Sequence, residues 1–278
     1  MVGHEAPEIR LAEVIGVLEQ LYPSNTAQSW DQVGLVTGDP DQPVRRILVA
    51  LDPALAVIEE AGELGADLLL THHPLLLRGV HSVATTGAKG MAVTRLVRSQ
   101  IALYVTHTNA DVAERGVCAA LAAACGLSKT EPIAVEEGQP LGRVGELPAP
   151  ILLRQFAYQL AAALPPAPVG LRVAGPPEAL VQRIAVAGGA GDGFFDAARD
   201  CGADVYVTGD LRHHPALEAR EEGAPYLIDA GHYGSEAVWI PYAVADLRER
   251  LGSRVEVSAS RLCTDPWTFL IAGESGAG

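Results

Sequence analysis

Apolar positions fall into short unbroken runs separated by helical stripes, the pattern of buried parallel strands covered on both faces by helices. Over residues 7–21 the stripe Ile9, Leu11, Val14, Ile15, Leu18 and Leu21 predicts a helix with Pro7 in its first turn, ended by Tyr22-Pro23-Ser24-Asn25. Residues 45–51 read as a buried strand, 54–64 as a helix stopped by Gly65, and 67–71 as the next strand. A helix over 90–100 then leads to a strand over 101–106.

The order recurs in the second half at an offset of 137. Ile47-Leu48-Val49-Ala50 matches Ile184-Ala185-Val186-Ala187, Gly65-Ala66-Asp67 matches Gly202-Ala203-Asp204, and Thr71 matches Thr208. Leu103-Tyr104-Val105 before His107 resembles Tyr226-Leu227-Ile228 before His232, with the offset shortened to 125. The expectation is an α/β fold of two related lobes with mostly parallel or mixed sheets, a pseudo-two-fold internal repeat and a metal site between the lobes. A shared βαβ pattern without common ancestry is the plainer alternative. The lobes are expected at 1–130 and 131–278. The Pro-rich stretch 130–180 is expected to be loop-rich, with a short strand over 141–147 and a helix over 151–164; the tail 273–278 is expected to be disordered.

Composition narrows the function classes. A net charge of −14, with lysine only at Lys89 and Lys129, argues against a nucleic-acid backbone or an anionic membrane as the main partner. Four cysteines without a C-x-x-C spacing do not suggest a disulfide framework. No apolar run approaches the ~20 residues of a membrane span, and the N-terminus lacks a basic-then-apolar signal, so a cytoplasmic protein is expected.

The candidate chemistry sits at strand ends, where α/β sheets bind ligands. His72 and His73 follow the strand over 67–71, and the turn at Pro74 lets the two rings splay. His107/Asp111 and His232/Glu236 are His-x-x-x-acid pairs, a spacing that brings the two side chains together on a helix or tight turn. Imidazole with carboxylate suits zinc, iron, manganese or nickel, and this many donors can hold two divalent ions, with Asp111 or Glu236 as a bridge. Each histidine taken singly reads as an ordinary hydrogen-bonded residue; three such segments together favour metal.

Other motifs are weaker. His213-His214-Pro215 falls outside the 137 register and is expected to open a helix over 216–222, with His214 a substrate contact or proton carrier. The run Gly188–Gly193 reads as a phosphate cradle or a tight strand-to-helix turn, with Asp192 opposing an anion. Trp30 in Trp30-Asp31-Gln32-Val33-Gly34-Leu35 is expected to be a buried packing residue rather than a pocket wall. Ser235 has no base-orienting partner for a nucleophilic triad. His4 and His81 are expected in solvent.

Trp30 to Leu35, Thr71-His72-His73-Pro74, Thr106 to Asp111, Gly142 to Leu147, Thr208-Gly209-Asp210 and Asp229 to Glu236 together resemble the Nif-three-like dinuclear-metal family, the GTP cyclohydrolase I type 2 homologues. The resemblance runs from about Pro7 to Phe269. It implies metal ligands at His72, His73, Asp111, His232 and Glu236, with His107 a further ligand or close neighbour, and a toroidal homohexamer. It also leads to an expected activity: a dinuclear metal-dependent hydrolase of a small, nucleotide-like substrate, in which two ions roughly 3.5 to 4 Å apart activate water. His107 or His214 would move the proton, and local arginines would hold a triphosphate. The alternative is a non-enzymatic metal-binding scaffold or regulatory protein.

Overall fold

The structure is a computed structural model that describes residues 8–271. Pro7, His4 and the tail 273–278 lie outside the described residues. Helix α1 (Leu11–Leu21) buries Leu11, Val14 and Leu18, one side of the expected stripe. Strands β1 (Gly34–Thr37) and β2 (Arg46–Ala50), helix α2 (Leu55–Glu63), strand β3 (Leu68–Thr71), helix α3 (Ala88–Arg98) and strand β4 (Ala102–Val105) follow. Strands β3 and β4 are buried along their whole length, as continuous apolar runs require when helices cover both faces. Leu48, Leu69 and Leu103 from the sheet pack with Val57, Ile58 and Leu96 from the helices. Two short helices, α4 (Thr108–Val112) and α5 (Val117–Ala124), end this stretch.

The middle of the chain is more regular than its prolines suggest. It holds β5 (Thr130–Glu131), the hairpin β6 (Ala134–Glu136) and β7 (Gln139–Leu141), β8 (Arg143–Leu152), α6 (Leu153–Ala163) and β9 (Arg172–Ala174). Pro148 and Pro150 sit inside β8, at the break between its two paired stretches, where no ladder hydrogen bond is lost. The chain continues through β10 (Leu180–Ala190), α7 (Phe195–Asp200), β11 (Val205–Gly209), α8 (His213–Glu221), β12 (Tyr226–Asp229), α9 (His232–Glu236), α10 (Ile240–Leu251) and β13 (Glu256–Ala259).

Contacts divide the chain into two units. The first comprises residues up to Ala120, Ala134–Leu141 and Ala237–Leu262; the second comprises Leu121–Ile133, Gly142–Glu236 and residues from Cys263 on. This differs from a single cut at residue 130, because α10 and β13 return to the first unit and β13 pairs in parallel with β2. The first unit's sheet runs β1-β4-β3-β2-β13, parallel except for β1; the second unit's runs β5-β8-β10-β11-β12-β9, with β10, β11 and β12 parallel and antiparallel strands flanking them. The fold is α/β with mixed and parallel sheets.

The repeat extends to individual hydrogen bonds. The Asp67 carboxylate accepts from the N–H groups of Arg45 and Arg46, and 137 residues on, Asp204 accepts from those of Gln182 and Arg183. Arg46 donates to the carbonyl of Leu64, and Arg183 to that of Cys201. Gly65 and Gly202 both adopt the left-handed conformation (φ 63° and 71°) that ends the preceding helix without a Cβ penalty. Matching strands β2/β10, β3/β11 and β4/β12 deliver the chain to α4 in one unit and α9 in the other.

Candidate metal centre

In the first unit, β3 and β4 end side by side, and each releases histidines where its ladder stops. The ring nitrogens of His72, His73 and His107 offer one donor atom each, all within 4.8 Å of one another, and the ring centroids stand 5.0 to 5.7 Å apart. Each ring is held from behind. His72 Nδ1–H donates to the carbonyl of Thr106 at 2.9 Å; a carbonyl can only accept, so this bond fixes the tautomer and turns the Nε2 lone pair outward. His73 Nδ1 is held by Asp52 Oδ1 at 2.7 Å and His107 Nδ1 by Asp31 Oδ1 at 2.9 Å. An acceptor behind each Nδ1 is the arrangement that orients metal-ligating imidazoles.

Asp31 is the most constrained of these acceptors. Its other oxygen accepts from Thr108 N at 3.0 Å and Thr108 Oγ1 at 2.6 Å. Burial pushes its carboxyl up, but hydrogen bonds from His107 and Thr108 and the charge of His107 outweigh that and hold it at about 2. Behind His72, the fully buried Trp239 indole lies 5.7 Å away and donates to the Tyr22 hydroxyl at 3.1 Å. Asn109 ties this layer to the strand end, accepting from His107 N and donating to the carbonyl of Tyr22.

Asp111 completes the group. Its Oδ1 stands 3.7 Å from His72 Nε2, too far for a hydrogen bond but close to the ~3.4 Å between neighbouring ligands of a tetrahedral ion. His107 is the N-cap of α4, which places Asp111 one turn into that helix.

The second unit holds the other His-x-x-x-acid pair. On α9, His232 Nε2 lies 3.2 Å from Glu236 Oε2, as i, i+4 spacing on a helix dictates, and His232 Nδ1 is held by Asp210 Oδ2 at 2.7 Å. With Nδ1–H donating to Asp210, the ring turns its Nε2 lone pair toward a carboxylate oxygen, and two acceptors this close call for a cation or a proton between them. The glycines of β10 make room for Glu236. A Cβ on Gly189 (φ 69°) would meet Glu236 Oε1 at 2.3 Å, and one on Gly191 would meet Thr208 Oγ1 at 1.9 Å. Gly189 and Gly191 therefore allow close approach to the backbone, and Asp192 pairs with Arg212. Ser235 Oγ accepts from Gly189 N and donates to the carbonyl of His232, a bracing role.

Each unit thus gathers its own expected donors: His72, His73, His107 and Asp111 in the first, His232 and Glu236 in the second. The donor chemistry fits divalent cations. His214 lies exposed on the first turn of α8, its ring against His213, and belongs to no donor group among the described residues. His81 is exposed, as expected. Trp30 is not buried: 57% of its surface is exposed, and its ring stands edge-on to His107 with centroids 6.0 Å apart. Sequence reasoning missed Asp31, Asp52 and Asp210 as anchors. Sequence offers a signal for Asp210, which follows β11 in Thr208-Gly209-Asp210, whereas Asp31 and Asp52 reach their histidines across 76 and 21 residues.

Similarity to known proteins accords with this geometry. The family profile described as Duf34/NIF3 (NGG1p interacting factor 3) matches residues 9–266. A Streptomyces coelicolor protein named "GTP cyclohydrolase 1 type 2 homolog" is 47% identical over 271 residues, covering 95% of each chain. A Mycobacterium tuberculosis protein of the same name is 35% identical, covering 94% of this chain and 97% of its own. Among solved structures, a Bacillus cereus protein related to NIF3 superposes with a TM-score of 0.89 at 26% identity, covering 95% of this chain and 100% of its own. Staphylococcus aureus protein SA1388 superposes with a TM-score of 0.87 at 31% identity, covering 95% and 100%. With residues 9–266 matched by the family profile and a 47% identical relative covering 95% of each chain, the chain belongs to the Duf34/NIF3 family.

Proposed function

We propose that the protein is a dinuclear, divalent-metal-dependent hydrolase of a nucleotide-like substrate; the relatives' printed name, "GTP cyclohydrolase 1 type 2 homolog", supports the substrate class. The observation that carries this reading is that four imidazoles, His72, His73, His107 and His232, each have Nδ1 held by an acceptor. That arrangement leaves each Nε2 to act as ligand or base. His72, His73, Asp111, His232 and Glu236 would hold the ions. When bound, a metal pair supplies Lewis acidity that makes water nucleophilic near neutral pH.

The remaining work falls to His107. Asp31 stabilises its imidazolium, so Nε2 can take a proton from water as the water oxygen bonds to the imidazole-ring carbon of a guanine. The same nitrogen passes that proton to the ring nitrogen that stays bonded to the carbon, then takes the adduct's hydroxyl proton and gives it to the other ring nitrogen as its bond to the carbon breaks and the formyl C=O forms. The fully buried Trp239 and Tyr22 keep water away from the back of His72. The exposed apolar residues Trp267, Phe269, Leu270 and Ile271 support assembly into a homohexamer, and four cysteines without a C-x-x-C spacing support a reducing cytoplasm.

The test is a panel of nucleotides incubated with metal-loaded protein, followed by product analysis. Asp111→Ala is expected to lose both metal and turnover, whereas His107→Ala is expected to keep metal and lose turnover. Turnover retained by metal-free Asp111→Ala, or none by the fully loaded parent, removes the proposal.

A further inference from the structure

The exposed indole of Trp30 has no packing role to explain it. Trp239 is fully buried, yet Trp30, in a segment pinned on both sides, keeps more than half its surface in water. Before it, Gln28 N donates to Thr108 Oγ1, and both Ser29 N and Ser29 Oγ donate to the Glu137 carboxylate at 2.8 and 2.6 Å. After it, Asp31 is locked to His107 and Thr108. Glu137 and Gly138 form the two-residue turn of the β6–β7 hairpin with positive φ values of 49° and 77°, so a strained non-glycine tip grips the Trp30 segment. The ring is thereby held edge-on to His107, at an interplanar angle of 83°.

We propose that Trp30 is the stacking surface for the planar heteroaromatic ring of the ligand, a purine-type bicycle, whose reacting edge it delivers to His107. Large, rigid aromatic side chains left in water beside a reactive group bind flat rings through π-stacking, which tolerates ring identity but not ring absence. This proposal deepens the nucleotide reading and rests on it.

Zinc-loaded protein in a Trp267→Phe background, which removes the other exposed indole, is titrated with GTP, guanosine and tripolyphosphate by calorimetry and by tryptophan fluorescence. GTP and guanosine are expected to quench the emission and tripolyphosphate is not. Trp30→Ala is expected to weaken GTP and guanosine about tenfold while leaving tripolyphosphate affinity and zinc content unchanged, and Trp30→Phe to restore most of the loss. GTP bound equally by Trp30→Ala and its parent overturns the stacking role and leaves the metal reading standing. An equal loss of tripolyphosphate affinity in Trp30→Ala overturns it too, by showing a general disturbance. A parent that binds neither GTP nor guanosine more tightly than tripolyphosphate removes the nucleotide reading and the platform together.

Discussion

Gly189→Ala isolates the placement of one carboxylate. The added Cβ would stand 2.3 Å from Glu236 Oε1, against the 3.4 Å at which ordinary contact begins, so the carboxylate must retreat by about 1 Å. Relief is cheap for the fold, because Oε1 is the far end of a flexible side chain. What remains is the strain of alanine at φ 69°, about 1 kcal/mol, or about 2–4 °C in Tm. The proposed metal site would have no such latitude, since ligand positions matter within roughly 0.5 Å. A 10- to 100-fold fall in zinc affinity is therefore expected alongside that small change in Tm, the size of effect seen when metal-ligand support is lost. Competition with a chromophoric chelator measures the first and thermal denaturation the second. Gly193→Ala is the control from the same glycine run: its Cβ meets nothing within 4 Å, and neither quantity is expected to change. Zinc affinity unaltered in Gly189→Ala would refute the claim that Gly189 exists to admit Glu236.

Asp52→Ala frees the His73 ring, and zinc affinity is expected to fall about 10- to 100-fold in the same chelator competition; unchanged affinity would mean that the anchor is idle. Burial raises the Glu19 carboxyl, but hydrogen bonds from Ser24 Oγ, Ser24 N and Tyr104 outweigh it and hold the group below its ordinary range. A depressed folded pKa adds stability that is present above the unfolded value of about 4.3 and is lost as pH falls through the folded one. Glu19→Gln is accordingly expected to lower Tm at pH 7 and to flatten the acid limb below about pH 5; an acid limb identical to the parent's would contradict this. Replacing Trp267 and Phe269 with Ser is expected to reduce the proposed homohexamer to smaller species in light scattering at micromolar concentration, and an unaltered mass would contradict the proposed role of these residues.

Much of the fold is legible because its signals are local. Unbroken apolar runs announce β2, β3 and β4, and Gly65/Asp67 with Gly202/Asp204 mark the repeat through a helix-ending glycine and a loop-capping carboxylate. The His-x-x-x-acid pairs are legible for the same reason. What escaped was non-local or depended on conformation. β13 pairs with β2 across 210 residues, and no sequence window contains both partners. Pro148 and Pro150 read as loop, because a register break that tolerates proline leaves no trace in hydrophobic periodicity. Trp30 read as buried on residue type alone, though its neighbours' hydrogen bonds hold it in water. Asp31 reaches His107 across 76 residues, so its anchoring role required the folded chain.

Central to the proposed function is that His72, His73 and Asp111 in one unit and His232 and Glu236 in the other bind divalent cations. Anomalous diffraction at the absorption edge of the metal found in the purified protein tests it most directly. Peaks contacted by His72, His73 and Asp111 and by His232 and Glu236 are expected. A lone peak bound by donors of one unit only, or none after metal loading, would contradict it.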